Sequence, residues 1–214
     1  MKTFLLALIL LLGTLPAFAN PAMDAAHKTT HTITQKVLVG GGGKCSATAI
    51  APHALLTASH CEKPTGEILI DGTPAHILIE PIRDGFDHSV LIVDATFANY
   101  AEFAYAEPKV GDDIFIFGNA GSQTDLLRKG YVAKLGKDED PYLYDFNGWM
   151  GDSGAGIFNA EGKLVGVVSI GNLDQPPDGR EYWPTFKLMG AYGIEMNADA
   201  VKALRELKFE EEKK

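Results

Sequence analysis

Gly151-Asp152-Ser153-Gly154-Ala155-Gly156 carries the chain's most specific chemical signal. A serine between two glycines sits where the backbone can turn tightly. The amides of Gly151 and Ser153 could then point together at a developing oxyanion. A hydroxyl is a poor nucleophile at neutral pH unless a histidine takes its proton and a carboxylate holds that histidine in the right tautomer. One good candidate exists for each role: His60 in Leu55-Leu56-Thr57-Ala58-Ser59-His60-Cys61, and Asp87 at the head of His88-Ser89-Val90-Leu91-Ile92-Val93. Each has a plain competitor. The glycine-flanked loop alone is equally a surface turn, since Gly, Asp and Ser are common turn residues. His53 and His76 lack the Thr-Ala-x-His-Cys setting, and of the rival carboxylates Asp84 and Asp94, Asp84-Gly85 reads as a turn.

Chain order separates the folds that carry such a set. All six histidines, His27, His31, His53, His60, His76 and His88, precede Ser153. That excludes an α/β-hydrolase, whose base follows its serine. A subtilisin-like order needs an aspartate before its histidine, and only Asp24, near the amino terminus, precedes His60. The order His, Asp, Ser remains.

With that order, the chain resembles the trypsin-like, chymotrypsin-fold serine proteases, in particular the small bacterial ones, over roughly residues 37–207. Cys45-Ser46-Ala47-Thr48-Ala49-Ile50 followed by Leu55 to Cys61 is similar to the family's cysteine-to-histidine segment, and the separation of 16 residues between Cys45 and Cys61 fits it. Asp87 with its apolar run, the Gly151 to Gly156 loop, and Val167-Val168-Ser169-Ile170-Gly171 resemble three further family segments. Residues 111–132, with Ile114-Phe115-Ile116-Phe117-Gly118-Asn119-Ala120-Gly121 and Lys129-Gly130-Tyr131-Val132, are similar to the start of the second barrel in Deg-type proteases. An extra binding domain of the Deg type is not expected.

The resemblance implies an all-β fold of two six-stranded antiparallel barrels, an active site in the cleft between them, and a closing helix. It implies a serine endopeptidase acting on proteins or peptides, with catalytic His60, Asp87 and Ser153, an oxyanion hole of Gly151 and Ser153, and no metal or cofactor. Asp152 is then a structural carboxylate buried behind the site. Asn147, Ser169 and Gly171 fall at substrate-binding positions. Members that cut after Arg or Lys carry an aspartate where Asn147 stands, and glutamate-cutting members carry a histidine where Val168 stands. An uncharged residue before the scissile bond is therefore expected. Animal trypsins are activated by a new apolar amino terminus, and here Val37-Leu38-Val39-Gly40 is too close to Cys45 to serve. Activity without a specific internal cut is expected. A protease-fold binding protein with a silent triad is the alternative.

Composition fits an exported protein. Lys2, the apolar stretch Phe4 to Leu12 and Ala17-Phe18-Ala19 read as a signal peptide over residues 1–19. That stretch is too short to span a membrane. A secreted or periplasmic location follows, with no membrane partner once the signal is removed. In that setting the two cysteines are expected to pair, Cys45 with Cys61. A formal net charge of −9 without a basic run argues against nucleic acid.

Short apolar or alternating runs separated by Gly, Pro and Asp turns predict strands. They fall at 32–39, 47–50, 54–58, 68–70, 75–79 and 89–93, and then at 112–117, 128–135, 142–144, 156–158, 164–170 and 185–188. Residues 20–36 read as a polar, partly disordered arm, 37–208 as one protease domain with sub-barrels near 37–100 and 109–195, and 209–214 as a charged tail. Asn197 is a fair N-cap for a helix over 198–207, with Ala200, Val201, Leu204 and Leu207 on one face. His27 and His31 have the i,i+4 spacing of a helical metal pair, but the surrounding threonines favour extended chain. Gly40-Gly41-Gly42-Gly43 lacks the Gly-Lys-Ser/Thr ending of a phosphate loop.

Overall fold

The computed structural model describes residues 20–34, 43–62, 66–83, 87–136, 142–172, 188–191 and 198–207. The signal segment, the Asn197 cap and the charged tail lie outside the described residues.

In the strands that build the centre of the molecule, adjacent residues are both apolar, because each strand serves two cores. In β2 (Lys44–Ala51), β3 (Ala54–Ala58) and β7 (His88–Ile92), side chains alternate between faces. Ala49, Leu55 and Leu91 turn into the first barrel, with Ile33, Ile68, Ala75 and Phe97. Their neighbours Ile50, Leu56, Val90 and Ile92 turn outward onto Phe117, Phe158, Leu164 and Val167 of the second. Each such aliphatic side chain, fully buried, contributes about 1.5–3 kcal/mol. The interface between the barrels is thus a hydrophobic core in its own right.

The first sheet runs β5-β4-β1-β2-β3-β7-β6, with β1 (Thr30–Thr34), β4 (Gly66–Ile70), β5 (Thr73–Ile77) and the two-residue β6 (Ile82–Arg83). A bridge from Ile77 to Val93 returns β5 to the end of β7 and curls the sheet into a barrel. In the second sheet the order is β12-β11-β8-β9-β10-β14-β13. It comprises β8 (Asp113–Gly118), β9 (Leu126–Lys134), β10 (Tyr142–Asp145), β11 (Gly156–Asn159), β12 (Leu164–Val167), β13 (Ile170–Asn172) and β14 (Leu188–Ala191). Its two edge strands, β12 and β13, are consecutive in the chain. All the strand pairs are antiparallel.

Each sheet has seven strands where six were expected. The seventh of the first is β6, a short edge piece. That of the second arises because the expected 164–170 strand is split. Val168 gives its backbone groups to the Gly151 to Gly156 loop, accepting from Gly154 N (2.7 Å) and donating to Ala155 O (2.8 Å).

The polar arm is part of the fold. Asn20 caps α1 (Pro21–His27), its side chain accepting from Ala22 N at 3.1 Å, with Pro21 in the first turn where its missing N–H costs nothing. Seven residues do not hold a helix alone. Met23 and Ala26 hold this one by entering the core between the barrels. His31 follows on β1, so it does not share a helix with His27. At the other end of the chain, α2 (Ala198–Glu206) buries Val201 against the same core, while Leu207, just past it, is exposed. Among the described residues no helix is long and apolar enough to cross a membrane.

Candidate active site

His60 lies in a single 3₁₀ turn, Ser59–Cys61, at the end of β3. Asp87 stands immediately before β7, the neighbour of β3, and adopts a left-handed backbone (φ 66°). Aspartate visits that region more readily than most residues. The turn places its backbone oxygen on Ser59 N (2.8 Å) and folds its carboxylate back over the histidine. One carboxylate oxygen accepts from the His60 amide (2.9 Å) and the Ser59 hydroxyl (2.7 Å), and the other pairs with His60 Nδ1 at 2.8 Å. Nδ1 is thereby committed to the carboxylate, and Nε2 is the nitrogen left for chemistry. Cys45–Cys61 is a disulfide, Cα–Cα 6.1 Å, that ties the start of β2 to this turn. The rival Asp94 binds His76 at 3.0 Å instead. Asp84 lies outside the described residues.

Beside the corner is Glu62, whose side chain is only 2% exposed and is held by Arg83 Nε and the Ser89 hydroxyl. Burial pushes its carboxyl above the ordinary value despite Arg83, and Glu80 and Asp87 add to the rise.

Ser153 belongs to the second barrel, in the loop between β10 and β11. Its backbone oxygen accepts from Ser46 N on β2 (2.8 Å). Gly154 (φ 84°) presses against the first barrel so closely that a Cβ there would overlap Ser46 O and Thr57 Oγ1 and stand 3.1 Å from Ala58 N. The candidate nucleophile loop is thus seated on the strand that leads into His60. Among the described residues the hydrogen bonds of His60 run to Asp87 alone, and the Ser153 hydroxyl makes none.

Two carbonyl contacts orient the candidate oxyanion amides. Met150 O accepts from Gly121 N (2.8 Å) and Asp152 O from Ala155 N (2.8 Å). Because a trans peptide is planar, fixing each carbonyl sends the N–H of Gly151 and of Ser153 the opposite way. Gly151 (φ 102°) is required there, since a Cβ would overlap Asn119 O.

Asp152 is fully buried. Arg128 Nη1 and Nη2 bind its two oxygens, and Trp149 N donates to one of them at 2.7 Å. A Cβ on Gly118 would sit on this pair, 2.5 Å from the carboxylate and 2.7 Å from the guanidinium. Arg128 also reaches Asn147 O (3.2 Å), which links the loop to an expected substrate-binding position. Asn147 itself is exposed, Ser169 is buried, and Gly171 lies in β13 opposite Met189.

Ser59, Arg128, Asn119 and the Ser46 side chain were not singled out from sequence. A signal existed for Arg128: in β9 it shares the inward phase of Gly130 and Val132, so it needed a buried acid.

A family model of the trypsin-like peptidase domain matches residues 45–167. Among solved structures, the serine endoprotease of Yersinia pestis superposes with a TM-score of 0.66 at 17% identity, over 87% of this chain and 66% of that one. The Rv3671c protease of M. tuberculosis in its active form gives 0.64 at 17% identity, over 86% and 82%. Its inactive form gives 0.61 at 17%, over 86% and 91%. A search of curated protein sequences gives no match. The family match spans more than half of the chain, and the two-barrel fold agrees with it: the chain belongs to the trypsin-like peptidase family, with the chymotrypsin-like fold of a serine-type peptidase.

Proposed function

We propose that the protein is a secreted or periplasmic serine endopeptidase working through His60, Asp87 and Ser153. The observation that carries this is the double engagement of Asp87, on both Nδ1 and the amide of His60, beside a nucleophile loop docked on the same strand. Ser153 Oγ attacks the scissile carbonyl carbon and its proton passes to His60 Nε2. The carbonyl oxygen becomes an oxyanion facing Gly151 N and Ser153 N. His60 returns the proton to the amine nitrogen as the C–N bond breaks, leaving an acyl-enzyme. Water then attacks the ester, again with His60 as base, and frees the acid. Asp87 holds the tautomer and stabilises the imidazolium, and the nucleophile–base hydrogen bond forms when substrate arrives.

Asn147 and Gly171 line the specificity pocket in this reading, with no fixed charge at its base, so an uncharged residue is accepted before the scissile bond. The Cys45–Cys61 disulfide fits an oxidising compartment, with residues 1–19 as the export signal.

A serine-reactive fluorophosphonate tests the reading. Stoichiometric labelling at Ser153, lost in Ser153→Ala, is expected; a folded parent protein that stays unlabelled is a binding module instead.

A further inference from the structure

Ser46 on β2 holds the nucleophile loop at two carbonyls: its amide donates to Ser153 O (2.8 Å) and its hydroxyl to Gly151 O (2.9 Å). The two acceptors bracket Asp152. The Ser46 hydroxyl in turn accepts from Asn119 Nδ2 (2.8 Å), and Asn119 Oδ1 accepts from the Thr32 hydroxyl on β1 (2.9 Å). Thr32 and Ser46 are direct partners in the β1–β2 ladder, so their side chains stand on one face of the sheet, toward Asn119 at the end of β8. Every donor in this chain points the same way, from Thr32 to Asn119 to Ser46 to Gly151. Ser46 is fully buried and Asn119 is 3% exposed, so neither finds water as a substitute partner.

Gly151 sits between two peptide planes. The one before it is pinned through Met150 O by Gly121, and the one after it through Gly151 O by Ser46. Asn119 supports both sides, since its own backbone oxygen lies where a Gly151 Cβ would be. An asparagine is required for the direction of the chain: a carboxylate at 119 could accept from both neighbours but could not donate to Ser46.

We infer that Thr32, Asn119 and Ser46 form a positioning relay that holds the peptide plane following Gly151 and so limits how far the Gly151 amide, in the plane before it, swings from the oxyanion position, so that docking of strand β1 from the amino-terminal segment adjusts the rate of acyl transfer. The inference rests on the serine-peptidase reading. The relay touches neither His60 nor the substrate. Its loss therefore lowers the rate of the chemical step and leaves both the pH midpoint of the rate and substrate binding in place.

The test uses the mature protein, the second-order rate of fluorophosphonate labelling, and kcat and KM on a peptide selected from a library. Ser46→Ala is expected to lower the labelling rate and kcat about tenfold, with KM within about twofold, because the oxyanion donor is loosened rather than removed. Asn119→Asp reverses one donor and gives a loss of the same size. Thr32→Val, near-isosteric and at a half-buried strand position, gives about threefold, and Thr32→Ser restores the parent rate. The pH midpoint of kcat stays that of the parent in all of them. If Ser46→Ala does not fold, Thr32→Val against Thr32→Ser decides alone. Rates within about twofold of the parent in every folded variant lacking a relay bond, or an equal loss in Thr32→Ser and Thr32→Val, overturn the relay. A parent protein that neither labels nor cleaves overturns the peptidase reading itself, which is a different result.

Discussion

The two halves of the candidate site are built by different means. The His60–Asp87 corner is local: Asp87 bonds the two residues Ser59 and His60 through four hydrogen bonds, all at the ends of adjacent strands of one barrel, and the His60 side chain is 48% exposed. The nucleophile loop has no such self-sufficiency. It is held by Arg128 from β9, by Gly121 and Asn119 from beyond β8, and by Ser46 from the other barrel, and its central carboxylate is fully buried. A general base needs one carboxylate and a free face. An oxyanion hole needs backbone amides aimed in advance, which only surrounding packing provides. Substitutions away from the candidate catalytic residues should therefore disturb the loop far more than the corner.

The largest effect breaks the comparison outright, because chemistry needs both halves at once. Ser153→Ala and His60→Ala each lower amidase activity by about 10⁴-fold or more, and Asp87→Asn costs about as much through the wrong His60 tautomer. Groups acting as a unit are not additive, so Ser153→Ala combined with Asp87→Asn is no slower than Ser153→Ala alone. Steady-state rates on one peptide substrate decide it. Ser153→Ala activity within tenfold of the parent is incompatible with the triad.

Arg128→Met sharpens the comparison at the loop. The guanidinium is 13% exposed and its partner carboxylate 0%, so removing it strands a buried charge, at about 3–5 kcal/mol. Adding Asp152→Asn to Arg128→Met removes that charge and recovers a good part of the loss. Denaturant midpoints of the single and double variants measure both. An equally unstable double variant would mean that the geometry of the pair, not its charge balance, holds the loop. Among the described residues Arg128 is thus the counter-charge of the Asp152 carboxylate.

Gly154→Ala tests the seam between the barrels, with Gly72→Ala as its control. Both glycines have left-handed backbones, φ 84° and 81°, so alanine costs either about 1–2 kcal/mol. At Gly72 a Cβ meets open space, but at Gly154 it meets Ser46 and Thr57 of the opposite barrel. Overpacking there adds about 1–3 kcal/mol. Equal thermal shifts for the two variants would show that the seam yields freely.

The same contrast explains what the sequence disclosed. The strands were legible because each carries an apolar run bounded by turn residues, and β3 is found at residues 54–58 as expected. The corner was legible because Asp87 is followed directly by its strand and His60 has a distinctive setting. The support of the loop was not, since Ser46, Asn119 and Arg128 lie 107, 34 and 25 positions before Ser153 and each is an ordinary residue for its strand or turn. The order of residues 20–34 is illegible in the sequence for a related reason. Met23 and Ala26 give α1 too few apolar positions to declare a helix, and what orders it is the inter-barrel core it meets.

The smallest effect lies at the outer end of the loop's support. Asp71, in the turn after β4, also has a left-handed backbone (φ 50°), accepts from Thr32 N at 2.8 Å and binds His31 Nδ1 at 2.7 Å. Partial burial pushes its carboxyl up, but the hydrogen bonds from His31 and Thr32, with the attraction of His31, outweigh it and hold the group below the ordinary value. A carboxyl with a depressed native pKa contributes stability that is fully present above its unfolded value, about pH 4, and is lost as pH falls through the lower native value. The parent should therefore lose thermal stability more steeply than Asp71→Asn below about pH 4, while at neutral pH the variant is the less stable of the two. With the Asp71 side chain 53% exposed, solvent screening keeps the neutral-pH difference small, and the shape of the curve is the diagnostic. Melting temperatures of both proteins between pH 7 and pH 3 measure it: parallel curves mean that Asp71 does not anchor β1 by charge, and that the nucleophile loop draws its support from Asn119 inward alone.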